Sequence, residues 1–360
     1  MTELTKLVIE LADAFGPSGF EGEVREIFRR QTEAVAEIAY DNLGSIVATH
    51  RGGTVGPKIL LAAHLDEVGL LIRAIMPNGY LKVVPLGGWW PPTLLAQRVL
   101  IRSSRGDHLG VMGAKPPHFL GEEDKNRALK LNDLYIDVGA RNAEAVRALG
   151  IAVGDPVAPA VATSRLSGTD TLVGKAFDDR IGCAAVIQLL RELDGTQPNR
   201  VYGAGTVQEE NGLKGARAVS SLVQPDLCLV LEGPPADDFP DNSVVQGRLG
   251  GGPQIRIYDP SMFANQTLAK LAIAQAEQLG IAYQVTVRES GGTDGSAIQL
   301  AGTGGVPTLV LGVPVRYAHS HQGIVALDDL AATIKLLKGL IYALDETTVA
   351  QLKQNPWSAW

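Results

Sequence analysis

Imidazole and carboxylate side chains recur in this 360-residue sequence directly after apolar runs. His64 and Asp66 follow the run 58–63, Glu209 and Glu210 follow 200–207, and Glu232 follows 226–231. His319 comes a short loop after the run 306–313, and Asp178-Asp179 heads a helical pattern. One acidic residue after a strand carries little information, but five such places supplying only His, Asp and Glu have chemical content. Nitrogen and carboxylate-oxygen donors without cysteine suit a catalytic zinc- or cobalt-type site better than a structural one. Two ions about 3.5–4 Å apart need a bridging carboxylate and a few terminal ligands each. Asp178 fits the bridge, His64 and Glu232 one ion, and Glu210 and His319 the other. Glu209, beside a ligand, is then available as general base for a shared water. Asp66, two residues beyond His64, is placed to accept the second ring N–H and fix the imidazole's orientation.

Periodicity shows the elements that must position these side chains. Leu4, Leu7, Val8 and Leu11 share one helical face, and Gly16-Pro17-Ser18-Gly19 ends that helix. Val24, Ile27, Phe28 and Val35 mark a second amphipathic helix, and Asn42-Leu43-Gly44 a turn between two short strands. The run 58–63 predicts a buried parallel strand with its ligands at the carboxyl end, where open α/β sheets bind them. Over 70–164 the texture changes to short β-rich runs (70–74, 81–84, 99–102, 134–138) separated by Gly and Pro, with Asn78-Gly79 as a hairpin turn. This stretch reads as a β-rich domain inserted into a catalytic domain made of 1–69 and 165–360, with 115–132 as a mobile or interface loop. The α/β rhythm then resumes: an apolar helix over 180–193, strands at 200–207, 226–231, 283–287 and 308–313, and a helix capped by Asn265 and stopped at Gly280. A last helix starts near Asp328-Asp329 and turns Leu330, Ile334, Leu337 and Ile341 to one side.

Each candidate residue also has a plainer reading. His64 alone could be a hydrogen-bonded core histidine, Glu209-Glu210 a solvated turn, and Asp178-Asp179 a helix cap, a role compatible with ligation. His321 reads as a loop residue, and His50, His108 and His118 as surface residues. The SGGTDG turn at 290–295 lacks both the P-loop lysine and GxGxxG spacing, which disfavours a phosphate cradle. Arg316-Tyr317 reads either as an orienting group for a substrate carbonyl or carboxylate, or as packing.

The bulk composition narrows the class. A net charge of −7 argues against an electrostatic nucleic-acid surface. The apolar runs are strand-length, too short to span a bilayer, and the mixed-charge N-terminus is no signal peptide. Cys183 and Cys228 lie in apolar segments and read as core residues rather than a disulfide or a thiolate site. The expected location is the cytoplasm.

The segments AAHLDEVGLLI, GKAFDDRIGCAA, TVQEENGLKGA, ESGGTDGSA and VPVRYAHSH resemble the signature blocks of the M42 metallo-aminopeptidases. These are the tetrahedral (TET) aminopeptidases, also called glutamyl aminopeptidases and, misleadingly, endoglucanases. The resemblance runs in family order over nearly the whole chain. It implies an α/β dinuclear-metal exopeptidase fold, a mixed central sheet flanked by helices, with an inserted β-rich dimerisation domain. It implies two divalent ions per subunit (Zn or Co), peptide substrates, and dimers that assemble into a hollow dodecamer. On matching positions it assigns the bridge to Asp178, terminal ligands to His64, Glu210, Glu232 and His319, and the base to Glu209. It implies a cis peptide at Asp178–Asp179 and places Gly291, Gly292, Thr293 and Asp294 along the substrate pocket. One departure stands out: many relatives carry Asp where this chain has Glu232, so Asp237 or Asp238 is a substitute candidate. The leading expectation is metal-assisted removal of N-terminal residues. The alternatives are a metal-dependent deacylase of N-acyl amino acids, a glycosidase using paired carboxylates, or a non-catalytic assembly protein. Aromatics at 5% of the chain disfavour the glycosidase, which needs sugar platforms.

Overall fold

The computed structural model describes residues 1–122 and 126–357. A nine-stranded mixed sheet forms the body. Across it lie Ala36–Tyr40, Ile46–His50, Arg200–Thr206, Lys58–His64, Leu227–Glu232, Thr308–Gly312, Gln254–Asp259 and Met262–Phe263, with Gln284–Val287 pairing on Gln254–Asp259. The four central strands are parallel, so their carboxyl ends share one edge. They are buried on both faces, and so read as apolar runs rather than alternating ones. One face packs against helices Glu3–Asp13, Gly22–Thr32, Phe177–Glu192, Gln266–Gln278 and Leu327–Ala343. The other is covered by Lys214–Val223 and Asp294–Ile298.

Between the two parts of this body the chain closes a barrel of six strands: Gly69–Ile75, Leu81–Leu86, Tyr135–Asp137, Gly106–Gly113, Arg98–Ser103 and Pro156–Pro159. Leu70, Ile72, Leu81, Val83, Val99, Ile101, Met112, Ile136 and Val157 fill it. The stretch 115–132 contains two 3₁₀ turns, Pro117–Phe119 and Leu131–Asp133, and residues 123–125 lie outside the described residues. A small sheet, Ser164–Arg165, Thr171–Gly174, Gly323–Ala326 and Val315–Arg316, leads the chain out of the barrel. Its hairpin of Val315–Arg316 and Gly323–Ala326 holds the loop 317–322 out toward the barrel. Among the described residues no helix is long and apolar enough to cross a membrane.

Several readings need correction. The second helix ends at Thr32, whose hydroxyl donates back to the Phe28 carbonyl at 2.8 Å, so Val35 lies beyond it. His50 is buried rather than at the surface, with Nδ1 accepting the Gly52 N–H at 3.1 Å. His108 is half-buried and pairs with the Ser103 hydroxyl, while His118 is exposed. Asn265 does cap its helix, accepting the Leu268 N–H at 2.9 Å. Both cysteines are free and buried. The helix Leu327–Ala343 is not the last, since Glu346–Gln354 follows it, with Asp345 accepting the Thr348 N–H as its cap.

Candidate metal centre

His64 is the last residue of its strand, and Thr206 stands opposite it at the end of the parallel neighbour. On the other side Val230 faces Ala62, and two residues further along each strand stand Glu232 and His64. The helix Phe177–Glu192 departs from helical geometry at Asp178 and Asp179, whose shared peptide is cis. This local shape separates their roles. Asp179 Oδ1 caps the regular helix at the Gly182 N–H (3.1 Å), and its Oδ2 accepts the His64 N–H at 3.0 Å. Asp178 faces the two histidines instead. Its Oδ1 lies 3.2 Å from His64 Nε2 and its Oδ2 lies 3.2 Å from His319 Nε2.

Around this carboxylate two groups assemble. His64 Nε2 is 3.9 Å from Glu232 Oε2, and His319 Nε2 is 3.0 Å from Glu210 Oε1. Within each trio, His64–Asp178–Glu232 and Asp178–Glu210–His319, the ligand atoms lie within 4.8 Å of one another. A third group of the same compactness joins His64, Glu209 and Glu210. Imidazole and carboxylate donors that converge this closely, with one carboxylate common to two trios, fit divalent metal ions.

The electrostatics carry the same message. Burial pushes the Glu209 carboxyl well above its ordinary value, with Glu232, Asp294 and Glu210 adding to the rise against His64. Burial likewise raises Glu232 to about 8, helped by Asp178. Burial disfavours charge on His319, yet Asp178 and Glu210 outweigh it and hold the ring up at about 11. Asp178, Glu209, Glu210 and Glu232 outnumber the two histidines that face them, which leaves this buried space acidic enough to attract divalent cations.

Asp66 lies against the His64 ring as expected and carries a second role besides. The His64 Nδ1–H is directed at the Asp66 backbone carbonyl, 3.0 Å away, with the carboxylate at 3.5 Å. The carboxylate also accepts the N–H groups of Glu209 and Glu210 at 3.0 and 3.1 Å, holding the acidic turn in place. Glu21 adds to this by accepting the Gln208 N–H. Arg316 is also committed elsewhere, in a two-pronged pair with Asp238, and Arg288 holds Asp237. Asp237 and Asp238 belong to none of the converging donor groups among the described residues, whereas Glu232 does. Gly291 and Gly292 are exposed, while Thr293 caps the short helix Asp294–Ile298. Asp294 is buried, accepts the Thr206 hydroxyl through Oδ2 and leaves Oδ1 without a partner. Burial raises it to about 6.

Sequence reasoning missed the barrel's contribution. The Gly88 carbonyl accepts the His319 Nδ1–H at 2.9 Å, which fixes Nε2 toward the carboxylates. A Cβ on Gly87 would stand 2.9 Å from Glu210 Oε2, and one on Gly88 3.2 Å from His319 Nδ1. The consecutive glycines were the available signal for this close approach. A groove of about 1080 Å³ beside Tyr258–Met262 and 299–307 contains none of the metal-site residues.

Comparison with known proteins agrees with this geometry. The model of the M42 glutamyl aminopeptidase family matches residues 44–336. The glutamyl aminopeptidase of Lactococcus lactis subsp. cremoris is 35% identical over 98% of this chain and 99% of its own length. The crystal structure of a TET aminopeptidase from the marine sediment archaeon Thaumarchaeota archaeon SCGC AB-539-E09 superposes with a TM-score of 0.95 at 39% identity, covering 97% of this chain and 99% of that one. The TET1 peptidase of Pyrococcus horikoshii, which can assemble into a tetrahedron or a large octahedral shell, has a TM-score of 0.83 at 32% identity, over 95% and 100% of the two chains. With the family model spanning most of the sequence and relatives matching end to end, the chain belongs to the M42 peptidase family and is a metal-dependent aminopeptidase.

Proposed function

We propose that the chain removes N-terminal residues from peptides at a dinuclear centre in which Asp178 bridges, His64 and Glu232 hold one ion, and Glu210 and His319 the other. The observation that carries this reading is that the two oxygens of Asp178 face different histidines at equal distance. When bound, divalent ions (zinc or cobalt) would polarise the scissile carbonyl and lower the pKa of a water. Glu209 takes the proton of that water and delivers it to the leaving amine. Burial raises its carboxyl above the ordinary carboxylate range, which makes it the stronger base. Asp66 keeps Glu209 and Glu210 at fixed height through their backbone, and Gly88 keeps the His319 ring in one tautomer.

Assembly is part of the proposal. Residues 70–164 form the dimerisation unit of a catalytic domain made of 1–69 and 165–360, and dimers build a dodecamer. Leu109 and Val111, exposed on one face of a barrel strand, support a self-association surface there. A cytoplasmic location is supported by two cysteines that remain unpaired.

Hydrolysis of aminoacyl-p-nitroanilides, followed before and after chelation and after zinc or cobalt is returned, tests the function. Cleavage should vanish with the chelator and return with the metal; cleavage indifferent to the chelator sinks the reading. A second expectation concerns protons. Near pH 7 the metal-free cluster retains them, since Glu232 stands at about 8 and His319 at about 11. Ions must displace these protons, so binding releases them and affinity rises with pH. Calorimetry in buffers of different ionisation heat should show the release. An affinity that stays flat between about pH 6 and pH 8 contradicts it.

A further inference from the structure

An enzyme that cuts behind the first residue needs a closed end for that residue and an open end for the rest of the peptide. The cluster has this polarity. The His64, Glu210 and Glu232 side chains are 2%, 5% and 7% exposed and Asp178 15%, so that His319, at 39%, is the one that reaches the surface. The closed end is therefore the Glu232 side, and the peptide continues past His319.

On the His319 side lies a cavity of about 460 Å³. Its walls are Trp90, Thr93 and Gln97 from the barrel and residues 317–322 from the hairpin loop, so His319 belongs to both the cluster and the cavity. Trp90 and Tyr317 are 69% and 63% exposed, and neither stacks on another ring among the described residues. The backbone holds both in place. The Trp90 carbonyl accepts the Thr93 N–H at 3.0 Å and the Thr93 hydroxyl at 2.8 Å, the Tyr317 carbonyl accepts the Ser320 hydroxyl at 2.6 Å, and Tyr317 sits at a φ of 60°, a left-handed value rarely adopted by a bulky residue. The wall contains no Lys, Arg, Asp or Glu. Its second histidine, His321, directs Nε2–H to the Arg98 carbonyl at 2.6 Å, tying the loop to the barrel.

We propose that this cavity is the subsite for the residue that follows the scissile bond, and that it selects aromatic and large apolar side chains, gripped between Trp90 and Tyr317. Two ring faces stabilise a stacked apolar group, while a wall without Lys, Arg, Asp or Glu offers a charged one no partner. The inference rests on the aminopeptidase reading of the cluster, and it concerns only what lies beyond the cut.

The test uses the metal-loaded full chain and peptides sharing one well-cleaved N-terminal residue, with Gly, Asp, Lys, Leu or Phe second. Phe and Leu should exceed Gly in kcat/KM by roughly tenfold. In Trp90→Ala and Tyr317→Ala that ratio should collapse to within about twofold of unity. Phenylalanine amide should also inhibit wild-type p-nitroanilide cleavage more strongly than glycine amide, a readout that needs no variant. A wild-type rate indifferent to the second residue, or a preference that survives both substitutions, overturns the subsite. Cleavage of no peptide in any metal state overturns the underlying aminopeptidase reading instead.

Discussion

Replacing Glu209 by Gln lowers kcat by about 10²–10⁴, the range expected when a positioned proton-transfer group is removed, while metal content stays at the wild-type level. The substitution preserves size and removes only the basic oxygen. Glu209 is held through its backbone N–H by Asp66, so its side chain can exchange protons without supporting the turn. Burial, with Glu232, Asp294 and Glu210 nearby, places its carboxyl above the ordinary range, which strengthens it as a base. The compact group His64–Glu209–Glu210 offers a rival assignment in which Glu209 is a ligand. Metal analysis separates the two. Glu209→Gln with both ions retained and hydrolysis lost supports the base; loss of an ion assigns ligation; wild-type kcat refutes both. Glu210→Gln is the contrast, since Glu210 Oε1 lies 3.0 Å from His319 Nε2 and its replacement should weaken metal binding.

How far these features were legible depended on the range over which their signal acts. Strand ends carrying His64, Glu210 and Glu232 show in the sequence because an apolar run and the polar residue that stops it are adjacent in the chain. The Asn265 cap is equally local, with its partner three residues away. The second role of the Asp66 side chain was not legible. It depends on the loop after one strand meeting the loop after its parallel neighbour, so that Glu209 and Glu210 present their N–H groups to it. Gly87 and Gly88 drew no reading from the sequence, because they give clearance to Glu210 and His319 from another part of the fold. Arg316 looked available beside His319 until the structure placed Asp238 against it. His50 looked like a surface residue because nothing in its neighbourhood shows that Gln197 packs over it. Periodicity reports which face of an element is buried, and it leaves the partner undetermined.

The largest stability effect should come from a group that carries no chemistry at all. Glu67, 1% exposed, receives Lys175 Nζ at 2.6 Å and the Gly16 N–H at 3.2 Å, with Arg180 Nη2 at 3.5 Å. Two buried cations thus face one carboxylate. The difference is met by main-chain carbonyls where the first helix ends: Leu11, Ala14 and Gly16 accept from Arg180, and Ala14 also accepts from Lys175. A helix C-terminus is a favourable place for cations, since its free carbonyls carry partial negative charge. Burial nevertheless lowers the Lys175 pKa, with Glu67 opposing that shift, so the pair is balanced rather than secure. Glu67→Gln leaves both cations without an anion and should destabilise the fold by about 3–5 kcal/mol, the cost of breaking a buried pair from one side. Against a typical total of about 5–15 kcal/mol this is a large fraction, and urea unfolding of the metal-loaded protein should show it as a lowered midpoint. Adding Lys175→Met should return part of the loss by removing one orphaned charge. A midpoint that barely moves in Glu67→Gln, or a double variant weaker than the single one by the full cost of Lys175→Met alone, would mean that the carbonyls by themselves hold the cations. Because Glu67 is three residues past His64, a measured loss would also show that the same clamp ties the first helix to the strand end that carries the metal ligand.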